Sequence, residues 1–299
     1  MYLIMSNGHS ATRWIANRLR KDNLSHCYHS YDLINTNPSL KDIVTYHHFL
    51  KNNINENRII GSIHLPFHLN ELEKSKLNEM GVKIFYLVRN PFNKINSMIN
   101  FYLEKFILNG FFTNSDKIVK KNINFNNLDA KEAYKNCDEY INNFFNLYFN
   151  SKKKYYVYYL KETLQFRIYK KFKNLKINNS IFENKNCQKY LSLVMINLFL
   201  YASRSCLIFD KQCIYEKNII KFEEIVENEK NFINYALLLD NRFNIDNLNV
   251  SNFKDKIGRN VKDYSKKDFW PKSFKEFFHE QIENENLKRF YLKMNYQFN

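Results

Sequence analysis

The sequence predicts an α/β protein: a parallel β-sheet covered on both faces by helices, three layers in all, with a helical insertion over residues 100–215. Three observations carry this prediction. Short, near-continuous apolar runs read as strands buried on both faces. Helical stretches separate those runs, the alternation expected of a parallel sheet. Finally, only 5 Gly and 4 Pro occur in 299 residues, too few turn formers for a loop-rich β-sandwich or barrel.

The elements follow in order. Tyr2-Leu3-Ile4-Met5 is a short apolar strand that stops at the turn signal Ser6-Asn7-Gly8, and Thr12 to Arg20 is helical, with Trp14, Ile15 and Leu19 on one face. Arg58 to Ile63 reads as a second buried strand, ended by His64-Leu65-Pro66. Val82 to Val88, β-branched and aromatic, follows Gly81 and ends at Arg89-Asn90-Pro91. Beyond about Asn100 the pattern becomes helical, over roughly Asp129 to Phe149 and Asn186 to Leu207, with a Tyr-rich strand expected at Tyr155 to Tyr159. Asn218 to Phe222 is a further strand, leading into a helix near Glu224, and Pro271 to Met294 is helical again. Asn52 to Asn57 and Lys117 to Asn127 read as solvated loops. No linker or repeat interrupts the chain, so one domain over residues 1–299 is expected.

Composition bounds the function. The chain carries 46 Lys+Arg against 30 Asp+Glu, a formal charge of +16, with 44% hydrophobic and 17% aromatic residues. A chain of this length can bury roughly 75% of its unfolded surface, and this hydrophobic content excludes wholesale disorder. The charge admits phosphates, acidic glycans, nucleic acid and anionic membranes as partners. Abundant Asn, Lys, Ile, Phe and Tyr also match an AT-rich coding sequence, so part of the lysine excess needs no function. Cys27, Cys137, Cys187, Cys206 and Cys213 form no C-x-x-C pair, which argues against a zinc site or a disulfide scaffold and fits a reducing compartment. Met1 to Met5 is too short for a signal-peptide core. Leu191 to Ala202, broken by Ser192 and Asn197, falls short of the ~20 apolar residues of a membrane span. A cytoplasmic location is expected.

Two places can carry chemistry. The loop Ser6 to Trp14 lies between a strand and a helix start, where backbone N–H groups and the hydroxyls of Ser10 and Thr12 suit an anion; the same hydroxyls also read as plain helix caps. The loop lacks G-x-x-x-x-G-K-[ST], which argues against a P-loop nucleotide kinase. Arg89, at the end of the third strand, and Ser97, eight residues on, offer a guanidinium fork and a hydroxyl suited to a terminal phosphate. An Arg paired with a surface carboxylate is the plainer alternative.

Four segments, in order, resemble the sulfotransferases that use 3′-phosphoadenosine 5′-phosphosulfate (PAPS). His9-Ser10-Ala11-Thr12-Arg13-Trp14 resembles the family's 5′-phosphosulfate loop, usually Lys or Arg, then Ser-Gly-Thr-Thr/Ser-Trp/Leu. Ile60 to Pro66 resembles the strand ending in His-Leu-Pro. Tyr86 to Pro91, with Ser97, resembles the 3′-phosphate motif, and Ile220 to Asn228 resembles the strand-helix junction RYEDLVENP. Weaker echoes are Lys256-Ile257-Gly258-Arg259, similar to the loop that closes over the nucleotide, and the ending Tyr291 to Tyr296.

The resemblance implies a P-loop NTPase-like core that binds PAPS as co-substrate without a metal. It further implies transfer of a sulfuryl group to an acceptor hydroxyl, for which a carbohydrate is one candidate, with residues 100–215 on the acceptor side. His64 would be the catalytic base, with His68 as the nearby alternative. His9, Ser10, Ala11, Thr12 and Arg13 would hold the 5′-phosphosulfate, Trp14 would stack on adenine or pack in the core, and Arg89 and Ser97 would hold the 3′-phosphate. Phe222, Lys256, Gly258 and Arg259 would complete the nucleotide site.

The chain also departs from the family's pattern. The loop's usual cation is His9, its Gly is Ala11, its second Thr is Arg13, the lysine two residues before the base is Ser62, and the junction's Tyr is Phe222. Arg13 is placed to supply charge that His9 does not guarantee at neutral pH. His26, His29, His47 and His48, lacking spacing logic, are expected at the surface, and Glu223-Glu224 as helix-start charge. The competing reading is a non-catalytic basic protein that binds nucleic acid or acidic polysaccharide through cations and aromatic faces. No RRM, KH or C₂H₂ signature supports it, and no nucleic-acid partner is expected.

Overall fold

The structure, a computed structural model, describes residues 1–7, 11–29, 43–53, 57–64, 69–103, 134–143, 185–248 and 270–296. Among them run β1 (Tyr2–Met5), α1 (Thr12–Leu19), β2 (Ser25–His29), α2 (Ile43–Asn53), β3 (Ile59–His64), α3 (Glu71–Glu79), β4 (Lys83–Val88) and α4 (Pro91–Leu103). A helix at 134–143, α5, comes next. There follow α6 (Lys185–Cys213), β5 (Ile219–Lys221), α7 (Phe222–Glu227), α8 (Glu229–Leu239), α9 (Ile245–Leu248), α10 (Lys272–Asn284) and α11 (Lys288–Lys293). The strands form one five-stranded, all-parallel sheet in the order β2-β3-β1-β4-β5.

Side chains alternate across each strand, and the sheet buries both faces. On one face Ile4, Ile63, Phe85 and Leu87 pack with Trp14, Ile15 and Leu19 of α1 and with Phe232 and Leu239 of α8. Ile60, between two residues of that face, packs instead with Tyr46 and Leu50 of α2. Helices on both faces of a parallel sheet make the three layers that the apolar runs predicted. The register requires Gly61 opposite Tyr2: a Cβ there would fall inside the Tyr2 ring. Asn70 caps α3 in a reciprocal box, accepting from Glu73 N–H at 2.9 Å while the Glu73 carboxylate accepts from Asn70 N–H at 2.8 Å.

The structure departs from the sequence reading at several places: Asn52 and Asn53, read as part of a solvated loop, end α2. Ser25–His29 is an edge strand that apolar patterning did not disclose, because its inward residues are Ser25, Cys27 and His29. With it, His29 and His47 are buried rather than at the surface, at 2% and 0% exposure. Phe222 opens α7 instead of ending β5. The expected strand at 155–159, the loop at 117–127 and residues 256–259 lie outside the described residues.

The chain divides into two compact units: Met1–Asn90, Ile208–Lys262 and Phe290–Asn299 form one, and Pro91–Leu207 with Asp263–Arg289 the other. The first holds the sheet. It is pinned by Asp22, fully buried, whose carboxylate accepts from the N–H groups of Leu24 at 2.8 Å and Asn244 at 2.6 Å. It is closed by the C-terminal segment, where the Tyr291 hydroxyl donates to Asp210 at 2.7 Å. The second unit has an aromatic core of its own: Phe199 stacks on Phe274 at 3.8 Å, with Trp270 edge-on to Phe199 at 5.2 Å. Asn96, fully buried there, accepts from Trp270 Nε1 at 2.8 Å and Tyr134 OH at 3.2 Å. Its described parts are helical, as expected for most of residues 100–215.

Candidate functional site

Because all five strands are parallel, their carboxyl ends share one edge, and the strand order reverses beside β1. The chain leaves β1 for the outer strand β2, returns through β3, then crosses to β4. In open parallel sheets the crevice outside the carboxyl ends at such a reversal is where ligands bind. β1 and β3 end in register, Met5 opposite His64. β4 and β5 do the same, Val88 opposite Lys221, so Arg89 and Phe222 leave the sheet side by side.

Ala11 leads into α1. Ala11, at the N-cap, takes the left-handed conformation with φ 48° and ψ 35° and supplies no side-chain cap. A non-glycine residue there costs about 1–2 kcal/mol, and Ala11 stands where the resembled phosphosulfate loop has Gly. Thr12, 6% exposed, shares a 3.0 Å hydrogen bond with Nε2 of buried His29. The first turn of α1 carries no carboxylate, and Arg13 is exposed there. Its N–H groups, at the positive end of the helix, therefore face no acidic side chain of their own turn, an arrangement favourable to an anion.

Arg89, 7% exposed, lays its guanidinium over the Phe222 ring at 4.7 Å from the centroid, a cation–π contact that fixes the plane of the fork. The junction is braced by Glu223, whose carboxylate accepts from Asn90 N–H at 2.8 Å and from the Tyr296 hydroxyl at 2.9 Å. Burial and the facing Glu223 push the Tyr296 phenol far above its ordinary pKa, so it remains a donor. Exposed Glu224 instead pairs with half-buried Lys221 at 2.8 Å.

Other predicted residues fall as follows. Trp14, 8% exposed, lies in the core with its edge toward Phe232 at 5.4 Å, and the Arg18 guanidinium sits 5.5 Å from its ring centroid. His64 ends β3 beside Met5. Ser62, the position of the family's lysine, shares a 2.9 Å hydrogen bond with His47 Nε2, and His47 Nδ1 donates to Ile43 O at 2.8 Å. Burial pushes His47 down to about 4, so the imidazole is neutral and Ser62 is its donor. Ser97 is half-buried in the second turn of α4, in the second unit. Gly8, His9, Ser10, His68, Lys256, Gly258 and Arg259 lie outside the described residues. Sequence reasoning read His29 as a surface histidine, Tyr296 only as part of the C-terminal ending, and Glu223 only as helix-start charge. Of the three, only Glu223 followed a strand legible in the sequence, and that place was its one signal.

Among the described residues no helix is long and apolar enough to cross a membrane, and no three His, Cys, Asp or Glu side chains gather as metal ligands. The fold is that of a parallel α/β protein with its candidate site at the carboxyl edge. Comparison with known proteins adds no relative: no family model, curated protein or solved structure gives a significant match.

Proposed function

We propose that the chain is a PAPS-dependent O-sulfotransferase with a P-loop NTPase-like core. One observation carries the reading: four segments far apart in sequence, each similar to a sulfotransferase motif, follow the carboxyl ends of β1, β3, β4 and β5 in a single sheet. The left-handed Ala11, where the family has Gly, and the buried Arg89 fork over Phe222 support this reading. Arg89, fixed in plane, would hold the 3′-phosphate bidentately. The α1 N-terminus, Thr12 and Arg13 would face the 5′-phosphosulfate and the charge that grows on its leaving oxygen. PAPS supplies an activated sulfuryl group, and His64 would take the proton of the acceptor hydroxyl.

Titration calorimetry with adenosine 3′,5′-bisphosphate tests the reading. Wild type should bind in the micromolar range, and Arg89→Ala should weaken binding by about 100-fold, in line with the loss of a bidentate charged contact of roughly 3 kcal/mol. His64→Ala should keep the affinity and lose sulfuryl transfer. Wild type without measurable heat would overturn the proposal.

A further inference from the structure

At the opposite, amino edge of the sheet the first unit has a second concavity. The start of β4, the end of α3 and the turn before β5 line a cleft of about 570 Å³. Buried Tyr86 forms part of its lining, and one wall is Glu216, which accepts from Lys74 Nζ at 2.6 Å. Three features separate this cleft from an ordinary dent. Tyr215, on its lining, is 90% exposed to water, an exposure of apolar surface that a bound ring would relieve. Lys83 and Lys217, both exposed, line it too, and among the described residues neither has an ion-pair partner. The only lining carboxylate, Glu216, is held by Lys74, which also holds Glu71 beside the cleft at 3.0 Å, so three lysines stand against two carboxylates and the net charge stays positive. Asn78 adds a side-chain amide with no hydrogen-bond partner among the described residues.

We propose that this cleft binds an anionic sugar unit, a sulfate or phosphate ester of a mono- or disaccharide. Its ring would lie on Tyr215, its ester oxygens on the Lys83 and Lys217 ammonium groups, and its hydroxyls on the Asn78 amide. The volume suits one or two sugar rings. Lysines as mobile point charges accept an ester at any of several ring positions, unlike a rigid guanidinium fork. The inference is independent of the proposed activity, whose site lies at the other edge.

Saturation-transfer NMR on the full chain tests it with three probes: a sulfated disaccharide, the same disaccharide unsulfated, and adenosine 5′-monophosphate. Wild type should bind the sulfated sugar. The unsulfated sugar should bind about tenfold more weakly or worse, as should the sulfated sugar to Tyr215→Ala and to the double variant Lys83→Glu/Lys217→Glu. All these positions are exposed, so both variants should melt at the wild-type temperature and keep wild-type affinity for adenosine 3′,5′-bisphosphate. Absence of binding to wild type, unchanged binding in both variants, or tighter binding of the monophosphate than of the sulfated sugar would each overturn the inference. Sulfated-sugar binding without bisphosphate binding would support this cleft while overturning the proposed activity.

Discussion

At the scale of single residues, the tightest constraint is steric. Tyr2 lies fully buried over Gly61, and burial, with Cys27 nearby, holds its phenol well above the ordinary pKa, so the ring sits neutral in the core. Gly61→Ala should cost about 1–3 kcal/mol, because a methyl must displace an aromatic ring in a packed interior. In urea denaturation, adding Tyr2→Val to Gly61→Ala should recover at least about 1 kcal/mol relative to the sum of the single changes; strict additivity would show that the clash is relieved elsewhere. His47 sets a second constraint. Its folded pKa near 4 lies below the ordinary value of 6.5, so between those pH values the unfolded chain binds the extra proton and folding is penalised. His47 thus leaves stability intact above about pH 6.5 and removes it as pH falls toward 4, on the order of 3 kcal/mol in total. The urea midpoint should fall between pH 7 and 5 in wild type, and this part of the fall should vanish in His47→Gln. Equal slopes would mean that His47 stays solvated when folded.

Elements are held to one another by a few polar clasps at the strand ends, and Glu223 is the one that bears on the candidate site. Its two oxygens serve two different elements, the backbone after β4 and the C-terminal Tyr296. Glu223→Ala leaves the Asn90 N–H and the Tyr296 hydroxyl without that acceptor, at a cost of about 1–3 kcal/mol. It also frees the segment that aims Arg89. Glu223→Gln keeps one carbonyl acceptor and should lose less than half as much. Thermal denaturation gives the stability ranking Glu, Gln, Ala. If the bisphosphate binds, calorimetry should give the same order of affinity, with Ala weakened about tenfold. Wild-type affinity in a destabilised Glu223→Ala variant would show that the hold on Arg89 does not run through Glu223. Elements also differed in how plainly the sequence announced them. β1, β3 and β4 are apolar on both faces and were legible as such. β2 was not, since an edge strand whose buried positions are Ser25, Cys27 and His29 is polar to any hydropathy count. Its polarity is accommodated by contacts such as Thr12 with His29, made between residues 17 apart that no local pattern connects.

For the whole molecule, the +16 charge bears less on partners than the positions of a few cations do. Arg89 lies over Phe222, Arg18 over Trp14, Lys74 on Glu216 and Arg242 on Asp240, so part of the excess is engaged within the fold. The first-unit segments come from three stretches of chain, a fact invisible to a reading that moves along the sequence and sees a helical ending without its destination. That ending closes the unit: Phe290, Tyr291, Met294 and Tyr296 are all buried there. At about 1.5–3 kcal/mol for each large side chain, deleting residues 290–299 would remove as much as a typical domain's whole stability. A milder change isolates the polar part. Tyr291 and Asp210 are both fully buried, and their hydrogen bond joins the end of the chain to α6. Tyr291→Phe preserves the packing and removes only a donor to a buried acid, so it should cost about 1.5–3 kcal/mol. Asp210→Asn, which keeps an acceptor at the site, should cost less, and the double variant should be no worse than Tyr291→Phe alone, because the acceptor that loses the Tyr291 donor is then an amide oxygen rather than a carboxylate. Urea midpoints for the four proteins decide the matter: additive losses would mean that the ending is held by its aromatic packing and that the clasp contributes little.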